Sequence, residues 1–408
     1  MRKILALIRN PKIWLIAVYM LIAVWLCRRA YYGQYSFLTT TYVYSLVATV
    51  LYFVFKKVKL STNIYLICYS VLIALFAAEF TLRFITKTNI SYGEQNNNGY
   101  TITYRYNKWG NVRFIEHEGR PDLYTLQFDS GELRRYTTID FSYPDFYCNK
   151  LGFRGVLPDT NKNIILALGD SFTEGAGTPN DSNYTELMRK QIQSSDTSLD
   201  ILNAGVSGND IFFDWQMVYK LENKYHLKQL LFLMNNTDVC EVASRGGSER
   251  FMKDGRLEYT PGKWWEPFYA VSFVFRLIVH STTHLDNTLH TSEERDAEHR
   301  KAIHKIYLLV KNEIVPWSKS KRVKATIVLH PLEYELKDKA NNWEYDSLRN
   351  SLQSIQGLNV VDCFAEIKAK AGSRKIYWQH DQHFKPEGYA ILANYIYQNC
   401  FEDSISPK

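Results

Sequence analysis

IILALGDSFTEG, residues Ile164–Gly175, is the stretch on which the fold turns. Ile164 to Leu168 is a continuous apolar run, the pattern of a strand buried on both faces of a parallel sheet. GDSFTEG then turns polar and helix-starting, which places the Ser171 hydroxyl at the carboxyl end of a strand. Open α/β sheets hold their reactive groups at that end. Ser171 is therefore a candidate nucleophile in search of a base.

The same alternation continues along the chain. Apolar strands are expected at IILAL, LDILNAG, QLLFLM and KATIVLH, separated by helical segments near 183–195, 212–226 and 295–316. Strand and helix in turn predict a three-layer α/β domain, a parallel sheet flanked by helices. A base stands near the far end, in HDQHFKPEGYAILANYI (His380–Ile396), where Asp381 and His383 precede an amphipathic helix. A serine hydroxyl attacks only when an imidazole takes its proton, and the imidazole needs a third group to fix its tautomer. Ser171, His383 and Asp381 supply those three parts. His380 is a second candidate base, and His380, Asp381 and His383 together are a rival metal site, though one without a third ligand elsewhere in the chain.

Four short blocks in one order resemble an SGNH (GDSL-type) hydrolase. GDSFTEG matches the serine block and LNAGVSGND (Leu202–Asp210) the glycine block. Leu230–Met234 with NNTDV resembles the asparagine block, and DQHFKPEGY the histidine block. CNKLGFRG (Cys148–Gly155) resembles a lead-in common in membrane-anchored members. The blocks span roughly residues 150 to 400. The resemblance implies a flavodoxin-like sheet and acyl chemistry through a serine-bound intermediate. It also implies an oxyanion hole built from the backbone N–H groups of Ser171 and Gly205 and the amide of Asn236, with no cofactor and no metal. Two departures stand out. Thr237 separates Asn236 from Asp238, which leaves Asn235 as a second candidate, and the usual Asp-x-x-His is shortened to Asp381-Gln382-His383.

The chain has 408 residues, enough for one large domain and accessories. Residues 1–87 stand apart as an anchor of about three transmembrane helices, with apolar stretches at 13–27, 37–55 and 64–84. The second and third are long enough to cross a hydrocarbon core about 30 Å thick. The first has no small-x-small cleavage site after it and is expected to be retained, not removed as a signal peptide. Arg2, Lys3, Arg9 and Lys12 before the first stretch, and Lys56, Lys57 and Lys59 between the second and third, mark the cytoplasmic side. Three spans then deliver the rest of the chain outside, on the outer face of a bacterial inner membrane. Glu79 and Arg83, four apart near the end of the third stretch, are expected to form a local ion pair.

Residues 88–150 read as a β-rich linker or appendage, and 151–408 as the catalytic domain. The net charge of +7 is dispersed, which argues against nucleic acid as a partner. The six cysteines form no metal spacing, and one disulfide outside the membrane is possible. Residues 259–280 hold two Trp and several Phe. They are expected to form a core helix with an aromatic loop, a lid or substrate wall being the alternative and membrane contact the third. The expected partner is an acylated envelope carbohydrate, with lipid esters or a non-catalytic binding scaffold as alternatives. Oligomeric state is not legible.

Overall fold

The computed structural model describes residues 37–58, 61–85, 133–137, 142–147, 149, 151–251, 263–265, 272–283, 290–337, 341–371, 375–379 and 382–402. In chain order the helices are α1 (Phe37–Val58), α2 (Thr62–Ile85), α3 (Ser171–Glu174), α4 (Tyr184–Ser195), α5 (Ile211–Leu221), α6 (Asn236–Arg245), α7 (Phe273–Thr283), α8 (Ser292–Leu309), α9 (Val315–Lys321), α10 (Trp343–Gln353), α11 (Phe364–Ala371) and α12 (Pro386–Tyr397). The strands are β1 (Leu133–Thr137), β2 (Ser142–Tyr147), β3 (Asn163–Gly169), β4 (Leu199–Asn203), β5 (His226–Met234), β6 (Lys324–Leu329) and β7 (Asn359–Asp362). The chain divides into two units. One comprises Met1–Phe114 with Met252–Arg295, the other Ile115–Phe251 with Asp296–Lys408.

The second unit contains a five-stranded parallel sheet in the order β4-β3-β5-β6-β7. Along β3 the side chains alternate between two buried faces, as its unbroken apolar run requires. Ile165 and Ala167 join Tyr184, Met188 and Ile192 of α4 and Tyr389, Leu392 and Ile396 of α12 in one core. Ile164, Leu166 and Leu168 are equally buried, and α5 packs on β3 and β5. The sheet runs one strand past the expectation, because β7 is a four-residue segment (NVVD) too short to stand out by pattern. Numbered within the sheet, the order is 2-1-3-4-5, the flavodoxin-like winding whose direction reverses between the first and third strands. Ligand crevices open there, outside the carboxyl ends of β3 and β5. Of the expected appendage 88–150, the described part is the antiparallel pair β1–β2 with Asn149.

In the first unit, α1 and α2 are long and apolar enough to cross a membrane, over Thr41–Val58 and Thr62–Leu82. They pack through Tyr44 on Phe76 and Phe55 on Tyr65, and Tyr69 donates from its hydroxyl to the Ala48 carbonyl. Two such helices are described where three were expected, and the first stretch, 13–27, lies outside the described residues. Glu79 is fully buried, and its partners include Ser272 and the Val274 N–H at the start of α7. The Arg83 side chain lies outside the described residues. Cys240, Cys363 and Cys400 are free thiols, and Cys148 is outside the described residues.

Candidate active site

Ser171 is the first residue of α3, one turn beyond β3. Asp170 starts that turn, its Oδ1 accepting from the Phe172 N–H at 2.8 Å, and Gly175 ends it in the left-handed region at φ 89°. The helix is four residues long because this Asp and Gly bracket it. As the first helical residue, Ser171 keeps a backbone N–H that the helix does not use.

His383 reaches this serine from the far end of the sequence, its Nε2 2.6 Å from the Ser171 Oγ. Its backbone is pinned on both sides. Tyr377 and Phe384 form an antiparallel bridge, the Trp378 N–H donates to the His383 carbonyl at 2.9 Å, and Gln382 turns at φ 66°. The Phe172 ring packs 4.8 Å from the imidazole. The histidine segment also clamps the nucleophile's own loop. Trp378 Nε1 donates to the Gly177 carbonyl, and the Tyr389 hydroxyl to the Ala176 carbonyl, each at 2.8 Å. Asp381 and His380 lie outside the described residues.

Arg154 of the GFRG lead-in supports the same loop. It is buried, and its guanidinium donates to the carbonyls of Glu174, Gly175 and Thr178 and to Asn180 Oδ1. A planar fork of donors suits this convergence of carbonyls.

The two asparagines face different surroundings. Asn235 is the N-cap of α6, with its Oδ1 accepting from the Thr237 N–H at 2.7 Å. Its amide nitrogen donates to Asp170 Oδ2 at 3.0 Å and lies 3.2 Å from His330 Nε2. The amide of Asn236 instead points to the Tyr334 hydroxyl at 2.7 Å and Glu344 Oε2 at 2.6 Å. Of the pair, Asn235 is the one joined through Asp170 to the nucleophile turn, which is not the expected register. Capping explains the difference: Asn235, the N-cap, holds its side chain on the Thr237 N–H and Asp170, whereas Asn236, the first helical residue, reaches Tyr334 and Glu344.

Asp170 is fully buried. Burial pushes its carboxyl pKa up, against hydrogen bonds from the Phe172 N–H and Asn235 that pull it down. His330, at the carboxyl end of β6, was not singled out by the sequence. Its Nδ1 lies 3.1 Å from the Pro331 carbonyl, an acceptor only, so Nδ1 carries the hydrogen and Nε2 faces Asn235 as acceptor. Burial lowers its pKa to about 3, which keeps this ring neutral.

Gly205 fills a steric role. A Cβ there would stand 2.3 Å from the Glu174 backbone nitrogen, so only glycine lets the loop after β4 approach α3 this closely. Its N–H, the expected oxyanion donor, donates to Asn203 Oδ1 at 3.0 Å. Ser207 closes the same contact, donating from its backbone N–H to Glu174 Oε2 at 3.0 Å. Among the described residues, no group of three or more His, Cys, Asp or Glu is placed to hold a metal ion.

No family model matches the sequence, and no curated protein does. Among solved structures, the chain is similar to a two-domain esterase active on acetylated mannans, at 14% identity and TM-score 0.34, covering 61% of this chain and 51% of that one. It thus spans about half the length of that protein. It is also similar to a member of the lipolytic protein G-D-S-L family from Veillonella parvula, at 13% identity and TM-score 0.33, covering 59% of this chain and 98% of that one. A third is a catalytic mutant of an acetylxylan esterase from Geobacillus stearothermophilus, at 13% identity and TM-score 0.35, covering 62% and 100%. The sheet order has the flavodoxin-like winding, with Ser171 just past the carboxyl end of β3, on the side where such sheets open their ligand crevice.

Proposed function

We propose that this chain is a membrane-anchored serine esterase or acyltransferase acting on O-acetyl groups of cell-envelope carbohydrate. The observation that carries the reading is the 2.6 Å contact between His383 Nε2 and Ser171 Oγ at the carboxyl end of β3. The imidazole accepts the hydroxyl proton as Oγ attacks the ester carbonyl, then returns it to the departing sugar oxygen. An acetyl-serine remains. Water releases acetate from it in hydrolysis, and a second sugar hydroxyl takes the acetyl group in transfer. Asp381 is assigned the orienting role beside His383.

The tetrahedral oxyanion is assigned to the Ser171 backbone N–H and the amide of Asn235, in place of Asn236. The Asn235 amide is chosen because it donates to Asp170, the residue next to the nucleophile, whereas the Asn236 amide is held by Tyr334 and Glu344. The carbohydrate class rests on the outward orientation expected from the Lys/Arg asymmetry and on the acetylated polysaccharides named for two of the similar structures.

The test uses the full chain in detergent. It should hydrolyse p-nitrophenyl acetate and be labelled by a fluorophosphonate probe, and Ser171→Ala should lose the label and drop turnover by about 10⁴-fold or more. Equal labelling of the two proteins sinks the assignment. A preference for long-chain over acetyl esters moves the substrate class to lipid.

A further inference from the structure

Helix α7, in the aromatic stretch after Phe251, falls in the same unit as the apolar N-terminal helices and packs against α2. The contact is specific at its start. Glu79, six residues before the end of α2, accepts from the Ser272 hydroxyl at 2.9 Å and from the Val274 N–H at 3.0 Å, while Ser272 Oγ accepts from the Phe275 N–H at 3.1 Å. The carboxyl of α2 thus joins Ser272 in capping the N-terminus of α7, where a helix presents unpaired N–H groups and the positive end of its dipole. A carboxyl group inside an apolar span is costly unless it is given such partners.

The helix itself is FVFRLIVHSTT, 11 residues, or about 16 Å at 1.5 Å per residue. That is half a hydrocarbon core, too short to span and suited to an interfacial or re-entrant position. It is not a core helix, for Leu277 is 44% exposed and Ile278 52%. α2 carries exposed apolar side chains too, with Ile73 at 67%. Nearby in the same unit, Trp264 is 77% exposed, and Lys263 stands over the Trp265 ring and pairs with Glu294 at 2.6 Å. Tryptophan and lysine of this kind gather at the headgroup level of a bilayer.

We infer that Phe273–Thr283 is a second membrane contact: a short helix seated in the bilayer against α2, its N-terminus capped by Glu79 and its Leu277–Ile278 face against lipid acyl chains. This rests on the reading of α1 and α2 as membrane spans. The chain would then enter the bilayer at its N-terminus and again between the two segments of the catalytic unit.

The test is photolabelling of the full wild-type chain in phosphatidylcholine vesicles carrying a diazirine on the acyl chain, with adducts mapped by peptide mass spectrometry. Adducts are expected in α1, α2 and Phe273–Thr283, and not in α10. Adducts in α1 and α2 without any in Phe273–Thr283 overturn the inference and leave the anchor standing, as they would if a partner protein covers α7. No adducts in any of them overturn the anchor and the inference together. Glu79→Ala should cut labelling of Phe273–Thr283 about fivefold through loss of the cap, with α1 unchanged. Glu79→Gln, which keeps an acceptor oxygen, should lose less. Equal labelling in wild type and Glu79→Ala overturns the capping role, and Glu79→Gln decides the point should the alanine variant fail to fold.

Discussion

Asn235 and Asn236 are neighbours in sequence with opposite surroundings, and substitution should separate them. Asn235→Ser keeps a hydroxyl able to cap α6 but removes the amide that faces Asp170 and His330. If that amide steadies the oxyanion, turnover on an acetyl ester should fall by about 10²–10³ while KM changes little, because the bond strengthens in the transition state. Asn236→Ala should remain within a few-fold of wild type, since its amide is held by Tyr334 and Glu344. Steady-state kinetics with thermal melts as a folding control decide the matter. A deep, folding-neutral loss in Asn236→Ala alone would return the role to Asn236. The family resemblance is what implied an asparagine donor in this block. Which of two adjacent ones faces the crevice depends on where α6 starts, and the residue spacing left that open.

Between elements, Asp210 shows how charge holds the crevice walls. It caps α5 through the Phe212 N–H at 3.0 Å, and it takes Arg250 at 2.6 Å and Arg245, at the end of α6, at 3.4 Å. Burial alone would raise its pKa, but the two guanidiniums outweigh this and hold it below the usual carboxylate range. A carboxyl whose folded pKa is depressed contributes stability above its unfolded pKa, near 3.9, and loses it as pH falls through the lower folded value. Asp210→Asn leaves two buried guanidiniums without their counter-charge, so it should cost about 3–5 kcal/mol at neutral pH. Urea unfolding across pH should show that gap constant near neutrality and narrowing only below about pH 4. A gap that is flat through acid would mean that the carboxylate charge is not what holds these elements. The elements themselves were largely legible: β3, β5 and β6 from apolar runs, α4 and α5 from helical spacing. What escaped was set by packing partners that composition does not name. β7 is four residues long. Gly205 reads like any turn glycine until the Glu174 backbone is placed against it. His330 is a lone histidine after a strand, and α7 has an apolar pattern that fits a core, a lid or a membrane equally.

For the whole molecule, on the proposed reading of the N-terminal region as an anchor, the decisive quantity is how many times that region crosses the bilayer. Two clusters of cations compete for the cytoplasmic side: Arg2, Lys3, Arg9 and Lys12 at the N-terminus, and Lys56, Lys57 and Lys59 between α1 and α2. If 13–27 spans, both clusters lie inside, with only Arg28 and Arg29 outside, and the chain beyond α2 is delivered outward. If it does not, α1 and α2 form a hairpin whose loop faces opposite to the N-terminus, and one basic cluster must be translocated. Three spans are therefore the arrangement that satisfies the charge asymmetry in full, and an esterase for envelope carbohydrate needs that outcome. Alkaline phosphatase, which folds only where its disulfides can form, reports the side. Fusions after Gly33 and after Lys87 should be active in a bacterial host, and one after Lys57 silent. Activity after Lys87 with silence after both Gly33 and Lys57 would leave α2 crossing and remove α1 as a span. Activity after Lys57 with silence after Lys87 would put the serine in the cytoplasm, out of reach of envelope polysaccharide, and the carbohydrate reading would fall with it.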